Sequence, residues 1–401
     1  MSAIVTTYRP ADLAELRDAL TESARAGQRL AVAGTGTAQW GGLVDADAVV
    51  DTTAMTGLIS YNPTDMTVAV RAGTRLADLQ EVLAEHRQWV ALDPARATAE
   101  GGTVGGIVAT ADAGPSRHQF GGSRDSVIGM TVVLADGTVA RSGGHVIKNV
   151  AGYDLAKLFH GCLGTLGVVA EVVLRVHPRP AATATLAVAC PAREAFTLGG
   201  RLIAESLEPA AVEWTCTRPR GPGLAQRAEA AREQRDGTLL VRFDGTTNGV
   251  ADRLRRARAL AGEHAAEGTP EHWQKAGRLA VGAPGDTVLR LGTAPDQVAQ
   301  LVMDVDRLAA THAVDAAMTS TLFAGVHTVR LRDAPAAAHA AVVESLRMAH
   351  SAATVCRWAP DLRNELAPWG DPPPAVSLLR AVKRRFDPDD RLCPGRFAPW
   401  F

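Results

Sequence analysis

Leucines at positions 13, 16 and 20 recur at the spacing of one helical face, and Gly27 suits the residue just past a helix end. The pattern predicts an amphipathic helix over residues 11–26. The apolar run Leu30-Ala31-Val32-Ala33 reads as a strand and leads directly into Gly34-Thr35-Gly36-Thr37. Ala48-Val49-Val50-Asp51 reads as another strand. From residue 56 to about 180 the chain is rich in glycine and in alternating apolar positions. Strands are expected at Met66–Val70 and Gly167–Val176, and a helix at Thr74–Glu85. A hairpin of Ile128–Leu134 and Thr138–Ser142 is expected around Asp136-Gly137. His177-Pro178-Arg179-Pro180 reads as a boundary.

The second half changes rhythm. Strands fit Thr185–Cys190, Ala211–Cys216 and Thr238–Phe243; Pro191 reads as the first residue of a helix, and Gly249–Gly262 as another. The same order returns: Thr287–Leu291 before a helix opened by Pro295, and His327–Leu331 before a helix after Pro335. These are two βαββα-like halves, roughly 184–270 and 286–358, and they predict an antiparallel sheet backed by helices. After Pro372-Pro373-Pro374 a last helix is expected over about Ala375–Phe386.

Composition narrows the class. Of the 401 residues 46% are apolar and 21% charged, with a net charge of -1. That excludes a disordered chain and gives none of the positive field of a nucleic-acid binder. Five widely spaced cysteines without a C-x-x-C exclude a disulfide framework, a zinc ribbon and an iron–sulfur cluster. The first residues lack the pattern of a signal peptide, and no run reaches the ~20 apolar residues of a membrane span. The expectation is a reduced, cytoplasmic, soluble protein that reaches a membrane only through partners. Only four of the 42 basic residues are lysines, and two of those, Lys148 and Lys157, share one segment. A lysine is a compact point charge where arginine is a planar fork.

Three segments could carry chemistry. The loop at 34–37 offers successive backbone N–H groups as an anion nest, although it meets neither the Rossmann nor the Walker fingerprint. A tight turn is its plain alternative. Glu100-Gly101-Gly102-Thr103-Val104-Gly105-Gly106, followed by small residues to Gly114, permits close approach of backbone to backbone or to a flat ligand. The third segment runs from Gly143 through Lys148, Tyr153 and Lys157 to Gly161-Cys162-Leu163-Gly164-Thr165-Leu166-Gly167-Val168.

The loop at 34–42, Gly101–Gly106, Gly114-Pro115 with Phe120-Gly121, Arg124-Asp125, and Lys148 through Val168 together resemble the FAD-binding domain of the vanillyl-alcohol oxidase superfamily. Ile147–Leu155, Gly164–Val168 and the tail Phe386-Asp387-Pro388 to Pro394-Gly395-Arg396 resemble the family of FAD-binding E subunits of bacterial glycolate oxidase. The resemblance implies an α+β fold. A PCMH-type FAD-binding domain would cover 1–180 in two α+β subdomains, about 1–55 and 56–180. An α/β cap with an antiparallel sheet would cover 181–374, and a segment 375–401 would return to the FAD domain. It implies that the amides of Gly34, Thr35, Gly36, Thr37 and Ala38 cradle the pyrophosphate, with Gly41 nearby. Gly102, Gly105, Gly106 and Gly121 would let backbone approach the flavin and its ribityl chain, and Val168 would touch the cofactor through main-chain atoms. Thr37 and Ala38 stand where some members carry a tethering histidine, so FAD is expected to be non-covalent.

The implied function is oxidation of glycolate, a small 2-hydroxy acid, to glyoxylate. The implied partners are an FAD-containing D subunit and an iron–sulfur F subunit, with electrons leaving through them or an external acceptor. Lys148 is the candidate positive charge near the flavin, and Arg330 the candidate grip on a substrate carboxylate. Tyr153, His118 and His327 are base candidates. In related 2-hydroxy-acid dehydrogenases a cap motif His-Ala-Gly-Asp-Gly-Asn-x-His helps bind metal and substrate; here Phe323 and Arg330 take its two histidine positions, so no metal is expected. Cys393 stands where the family often has Asn before Pro-Gly. Two alternatives stay open: an FAD-bearing scaffold without its own turnover, and a stand-alone flavin oxidase of another 2-hydroxy acid or alcohol.

Overall fold

The first expected helix forms over Leu13–Arg25. The Asp12 side chain accepts from the Glu15 amide at its start, and Gly27 follows its end at φ +64°. Leu16 and Leu20 are fully buried and pack with Leu30, Ala48, Val50 and Met55. The computed structural model describes residues 6–38, 40–145, 154–217, 236–350 and 353–401. The chain divides into two units, one of Met1–Gly114, Phe120–Arg179 and Pro372–Phe401, the other of Pro115–Gln119 and Pro180–Asp371.

The first unit holds two main sheets. A parallel sheet has the order Thr6–Tyr8, Ala48–Asp51, Leu30–Ala33. An antiparallel sheet has the order Leu58–Asn62, Thr67–Arg71, Val168–Arg175, Val127–Val133, Val139–Gly143. Strand alternation gives this larger sheet two buried faces. Val133, Ala135, Val168 and Ala170 join the cluster under the first helix, while Val70, Val132, Val172 and Leu174 pack with Leu76, Leu79 and Ile107. Met66, expected to open a strand, instead closes the preceding turn at φ +52°, and the strand begins at Thr67.

The second unit is an eight-stranded antiparallel sheet. Among the described residues its two halves each place their sheet elements and backing helices in the order β-α-β-β-α-β. The first places Ala182–Pro191, Ala211–Thr217, Asp236–Gly245 and Ala265–Gly268 in the sheet; the second places Thr287–Gly292, Asp315–Thr321, Val326–Arg332 and Ala353–Arg357. The halves join where Ala211–Thr217 pairs with Asp315–Thr321. Ala265–Gly268 and Ala353–Arg357 form the two outer edges, and the periodicity placed no strand at either of them, nor at Asp315–Thr321. Pro191 also differs: it ends the first strand and caps the helix Ala192–Ala204 from outside. One face of the sheet carries Val188, Trp214, Val241, Phe243, Met318 and Val329 into the core. The other carries Thr185, Glu213, Arg242, Thr319, Thr321 and Arg330, and there the buried Glu213 carboxylate accepts from both Thr319 and Thr321 hydroxyls.

His327 lies on the apolar side, fully buried, with Thr293 Oγ1 2.8 Å from Nε2 and Ser320 Oγ 2.9 Å from Nδ1. Burial first, and the charge of His350 second, push its pKa down to about 4. The unfolded chain therefore takes the proton first. The stability that neutral His327 contributes is complete above about pH 6.5 and is lost as pH falls towards 4, to a limit of about 3 kcal/mol. Urea unfolding followed between pH 7 and pH 4 is expected to show that loss, and His327→Gln is expected to flatten it.

Candidate functional site

A cleft of about 230 Å³ lies within the first unit. Three segments make its walls. The first is the loop after the strand Leu30–Ala33, where Gly34, Thr35, Gly36, Thr37 and Ala38 all line the cleft. Among the described residues no hydrogen bond occupies the amides of Thr35, Gly36, Thr37 or Ala38. Gly36 sits at φ +71° with nothing within 4 Å of the position a Cβ would take. Successive open amides around a left-handed residue form an anion-binding concavity.

The second wall contains the glycine-rich segment, and it is not an open loop. Helix Ala95–Glu100 ends at Gly101, φ +70°, and a new helix, Val104–Thr110, starts after Thr103, whose hydroxyl accepts from the Gly106 amide. Gly102, Thr103, Gly105, Gly106 and Ile107 line the cleft. Their packing explains two of the glycines: a Cβ on Gly102 would lie 2.6 Å from Ala97 Cβ, and one on Gly105 would lie 2.7 Å from Ala72 Cβ. The amides here are spent: Gly102 donates to Ala97 O, Val104 to Thr74 O, and Gly105 to Ala72 O. A Cβ on Gly34 would approach Thr103 Oγ1 to 2.9 Å, so the first two walls meet. Leu163, Gly164, Gly167, Val168 and Val169 form the third.

The C-terminal tail fixes this arrangement. The Leu30 amide donates to Arg391 O and the Cys393 amide to Leu30 O, each at 2.7 Å, so the tail runs beside the strand that delivers the loop. Gly42 donates to Arg396 O, and Arg396 Nη1 donates to the carbonyls of Trp40 and Gly42. Arg396 also lines the cleft, as do Arg96, Asp112, Trp40 and Thr110. Cys393 is buried at φ +48°, and its Sγ accepts from the Val32 amide at 3.4 Å. Burial raises the thiol pKa of Cys393, and that of Cys162 to about 11, so both stay protonated at neutral pH.

Of the cofactor-binding residues expected from sequence, Gly34, Thr35, Gly36, Thr37, Ala38, Gly102, Gly105, Gly106 and Val168 come together in one cleft. Gly41 and Gly121 do not line it. Gly121, at φ +75°, belongs to a turn in which the Gly122 amide donates to Asp125 Oδ2, and a Cβ there would strike that carboxylate at 2.4 Å. Lys148 and Tyr153 lie outside the described residues. Arg330 is in the second unit with Nε 3.8 Å from Asp286 Oδ2. His327 is corrected as a base candidate: it is sealed in the apolar core with both ring nitrogens at hydroxyls. His118 is half-buried beside Phe323, ring centroids 5.9 Å apart, with its pKa lowered by burial. Phe323 itself stacks on Phe196. Sequence reading missed Arg96 and Asp112; in so arginine-rich a chain, nothing local distinguishes Arg96. Among the described residues no cluster of three or more His, Cys, Asp or Glu side chains could hold a metal ion.

Residues 6–143 match a family model described as an FAD binding domain. Glycolate oxidase subunit GlcE of Escherichia coli is 40% identical over 130 residues, 32% of this chain and 37% of that one. D-lactate dehydrogenase [cytochrome] 1, mitochondrial, of Saccharomyces cerevisiae is 33% identical over 128 residues, 32% of this chain and 21% of that one. Glycolate oxidase subunit GlcD of Bacillus subtilis is 34% identical over 132 residues, 33% and 28% of the two chains. The match thus spans little more than a third of these relatives at most. A solved structure of alkyldihydroxyacetonephosphate synthase superimposes with a TM-score of 0.69 at 14% identity, covering 97% of this chain and 75% of that one. Within the first unit, residues 6–143 thus resemble an FAD binding domain, and the chain shares the fold of that synthase.

Two glycines in the stretch that follows the strand Leu30–Ala33, Gly36 in the cleft wall and Gly42 beyond it, separate strain from collision. Gly36→Ala is expected to cost about 1 kcal/mol through its left-handed φ alone. Gly42→Ala would place a Cβ 2.2 Å from Gly395 O, backbone against backbone. It is expected to cost about 2–3 kcal/mol and to loosen the tail as well. Thermal unfolding of the two variants checks the order, and protection of tail amides from hydrogen exchange checks the site of damage.

Proposed function

We propose that this chain is the FAD-binding subunit of a glycolate oxidase or dehydrogenase complex, oxidising glycolate to glyoxylate and passing the electrons to partner subunits or an external acceptor. The supporting observation is the row of open amides at Thr35–Ala38, set in a glycine-lined cleft within the stretch that matches an FAD binding domain. The donor set fits a dinucleotide: an anion nest on one wall and a surface without protruding side chains on the other.

In this reading the amides of Thr35, Gly36, Thr37 and Ala38 hold the diphosphate, as the Gly34–Ala38 loop was expected to. The backbone at Gly102, Gly105, Gly106 and Val168 lies against the rest of the cofactor, with the tail bracing the loop through Arg396. When bound, FAD supplies the acceptor for the hydride that leaves the hydroxyl-bearing carbon. The chain's own part in the chemistry is to orient the acid, take the hydroxyl proton and offset negative charge. Lys148, Tyr153 and Arg330 are the residues proposed for those tasks. Arg330 would exchange its loose contact with Asp286 for a bidentate grip on a substrate carboxylate. The proposed partners are an FAD-containing D subunit and an iron–sulfur F subunit, because no cluster ligands are present in the five isolated cysteines.

One observation favours the second reading, an FAD-bearing scaffold. Phe323, at the first histidine position of the dehydrogenase motif, is committed to an aromatic stack with Phe196. Anaerobic glycolate separates the readings. Bleaching of the flavin in the purified chain supports an independent enzyme, bleaching only with the partner subunits supports the complex, and no bleaching in either supports the scaffold. Denaturation of the yellow protein is expected to release all flavin into the supernatant, since Thr37 and Ala38 stand where a tethering histidine would be needed. Colour retained on the precipitated polypeptide would refute that.

A further inference from the structure

Lys383 is one of only four lysines among the 42 basic residues of the chain. It lies in the helix Val376–Phe386 and is 6% exposed. An ammonium gathers three donors at one point, which a planar guanidinium cannot do. Around that point stand Thr165 O and Leu392 O, each at 3.0 Å, Asp387 Oδ2 at 2.5 Å and Asp390 Oδ1 at 3.0 Å. A charge buried this deeply is stable only in an arrangement that satisfies all its donors.

Two of these acceptors lead to different walls of the cleft. Thr165 lies between Gly164 and Gly167 of the third wall. That wall is tied to the second, because the Leu163 amide donates to Ala109 O at 2.9 Å. Leu392 belongs to the tail, and its neighbours Arg391 and Cys393 make the 2.7 Å hydrogen bonds to Leu30. Leu30 opens the strand whose end, Val32 and Ala33, lines the cleft and runs into the loop Gly34–Ala38. Asp387 reinforces the tail by accepting from the amides of Arg391 and Leu392 at 3.0 and 2.7 Å. Strand, tail and third wall converge at Gly164, where a Cβ would stand 3.2 Å from both Val32 Cβ and Cys393 Sγ. Lys383, Thr165, Leu392 and Cys393 do not themselves line the cleft, so the ammonium acts on it through the backbone it holds.

We propose that Lys383 is a positioning residue of the cofactor site, and that docking of the tail and binding of FAD are one coupled equilibrium. This rests on the FAD reading above. With the ammonium in place, the loop at 34–38 and the backbone at Gly164 and Val168 are held at a fixed separation before the dinucleotide arrives. Without it, the Thr165 and Leu392 carbonyls lose their donor and the tail loses its single resting place. The walls must then be ordered at the expense of binding. Such coupling is reciprocal: whatever factor the docked tail adds to FAD affinity, bound FAD adds to docking of the tail.

The test uses the full chain and oxidised FAD. Lys383→Met is expected to weaken FAD affinity, read by quenching of flavin fluorescence, about 30-fold. Leu174→Ala opens a cavity in the core of the large sheet, away from the cleft. It is expected to lower the thermal midpoint as well, yet to keep FAD affinity within about threefold. In the wild-type chain, added FAD is expected to slow hydrogen exchange in residues 388–393, none of which lines the cleft, by about the same 30-fold. The strand Val127–Val133, also off the cleft, is expected to gain less. Wild-type affinity in a folded Lys383→Met chain would overturn the proposal. So would an equal loss in Leu174→Ala, which would make Lys383 a contributor to stability alone. If Lys383→Met does not fold, exchange in the wild-type chain decides: protection of residues 388–393 that FAD leaves unchanged, or raises no more than in Val127–Val133, refutes the coupling. Failure of the wild-type chain to bind FAD at all is a different result, and it removes the functional reading together with this one.

Discussion

One buried ammonium holds the cleft in shape. Lys383 Nζ, 6% exposed as a residue, donates to Thr165 O and Leu392 O at 3.0 Å each and pairs with Asp387 and Asp390. Asp387 in turn accepts from the amides of Arg391 and Leu392. Arg391 then reaches across the unit, donating to Gln28 O, Ala135 O and Ser23 Oγ. A buried charge is tolerable only when its hydrogen bonds are complete, so this network admits essentially one geometry for the tail. That geometry sets Leu392 and Cys393 beside the strand Leu30–Ala33 and Arg396 beside Trp40 and Gly42. The loop that lines the cleft at Gly34–Ala38 is therefore anchored at both ends by residues more than 350 positions away in sequence.

That distance explains what could and could not be read from the chain. Helix Leu13–Arg25, the hairpin Val127–Val133 with Val139–Gly143, and the repeated strand order of the second unit rest on local periodicity and turn chemistry. The outer strands Ala265–Gly268 and Ala353–Arg357 do not. The first reads Ala-Ala-Glu-Gly and has no strand preference of its own; it exists because Thr185–Val188 offers it an edge. Helix Val104–Thr110 was hidden for a similar reason, since its first turn contains two glycines that weaken it. It is stabilised by the Thr103 cap and by Ile107 and Val108 in the core, contacts that no local window contains.

The site divides along the same line. Segments built from consecutive residues were legible: the loop at 34–38, the glycines at 102–106 and Val168 all meet at the cleft. Gly121 lies off the cleft lining in a left-handed turn, and a glycine needed for such a turn looks the same in sequence as one needed for a ligand's approach. Side chains that enter the cleft singly, such as Arg96 and Asp112, carry no local signature. Their role depends on burial, and burial is a property of the assembled walls. His327 is the reverse case: an attractive residue type in an attractive motif, moved to the apolar side of the sheet by strand alternation.

Cys393 shows how far the tail tolerates a change of chemistry. The residue must adopt φ +48°, a region that asparagine enters more readily than cysteine. The thiol fits because its neighbours make few demands. It accepts one long bond from the Val32 amide and leaves only 3.2 Å between its sulfur and the position a Cβ on Gly164 would occupy. Gly164 is itself at φ +78°, so the third wall can close upon the tail. An amide side chain at 393 would bring donors as well as an acceptor into this space. With a thiol there, the side chain at 393 stabilises the strand leading to the loop and contributes no strong donor.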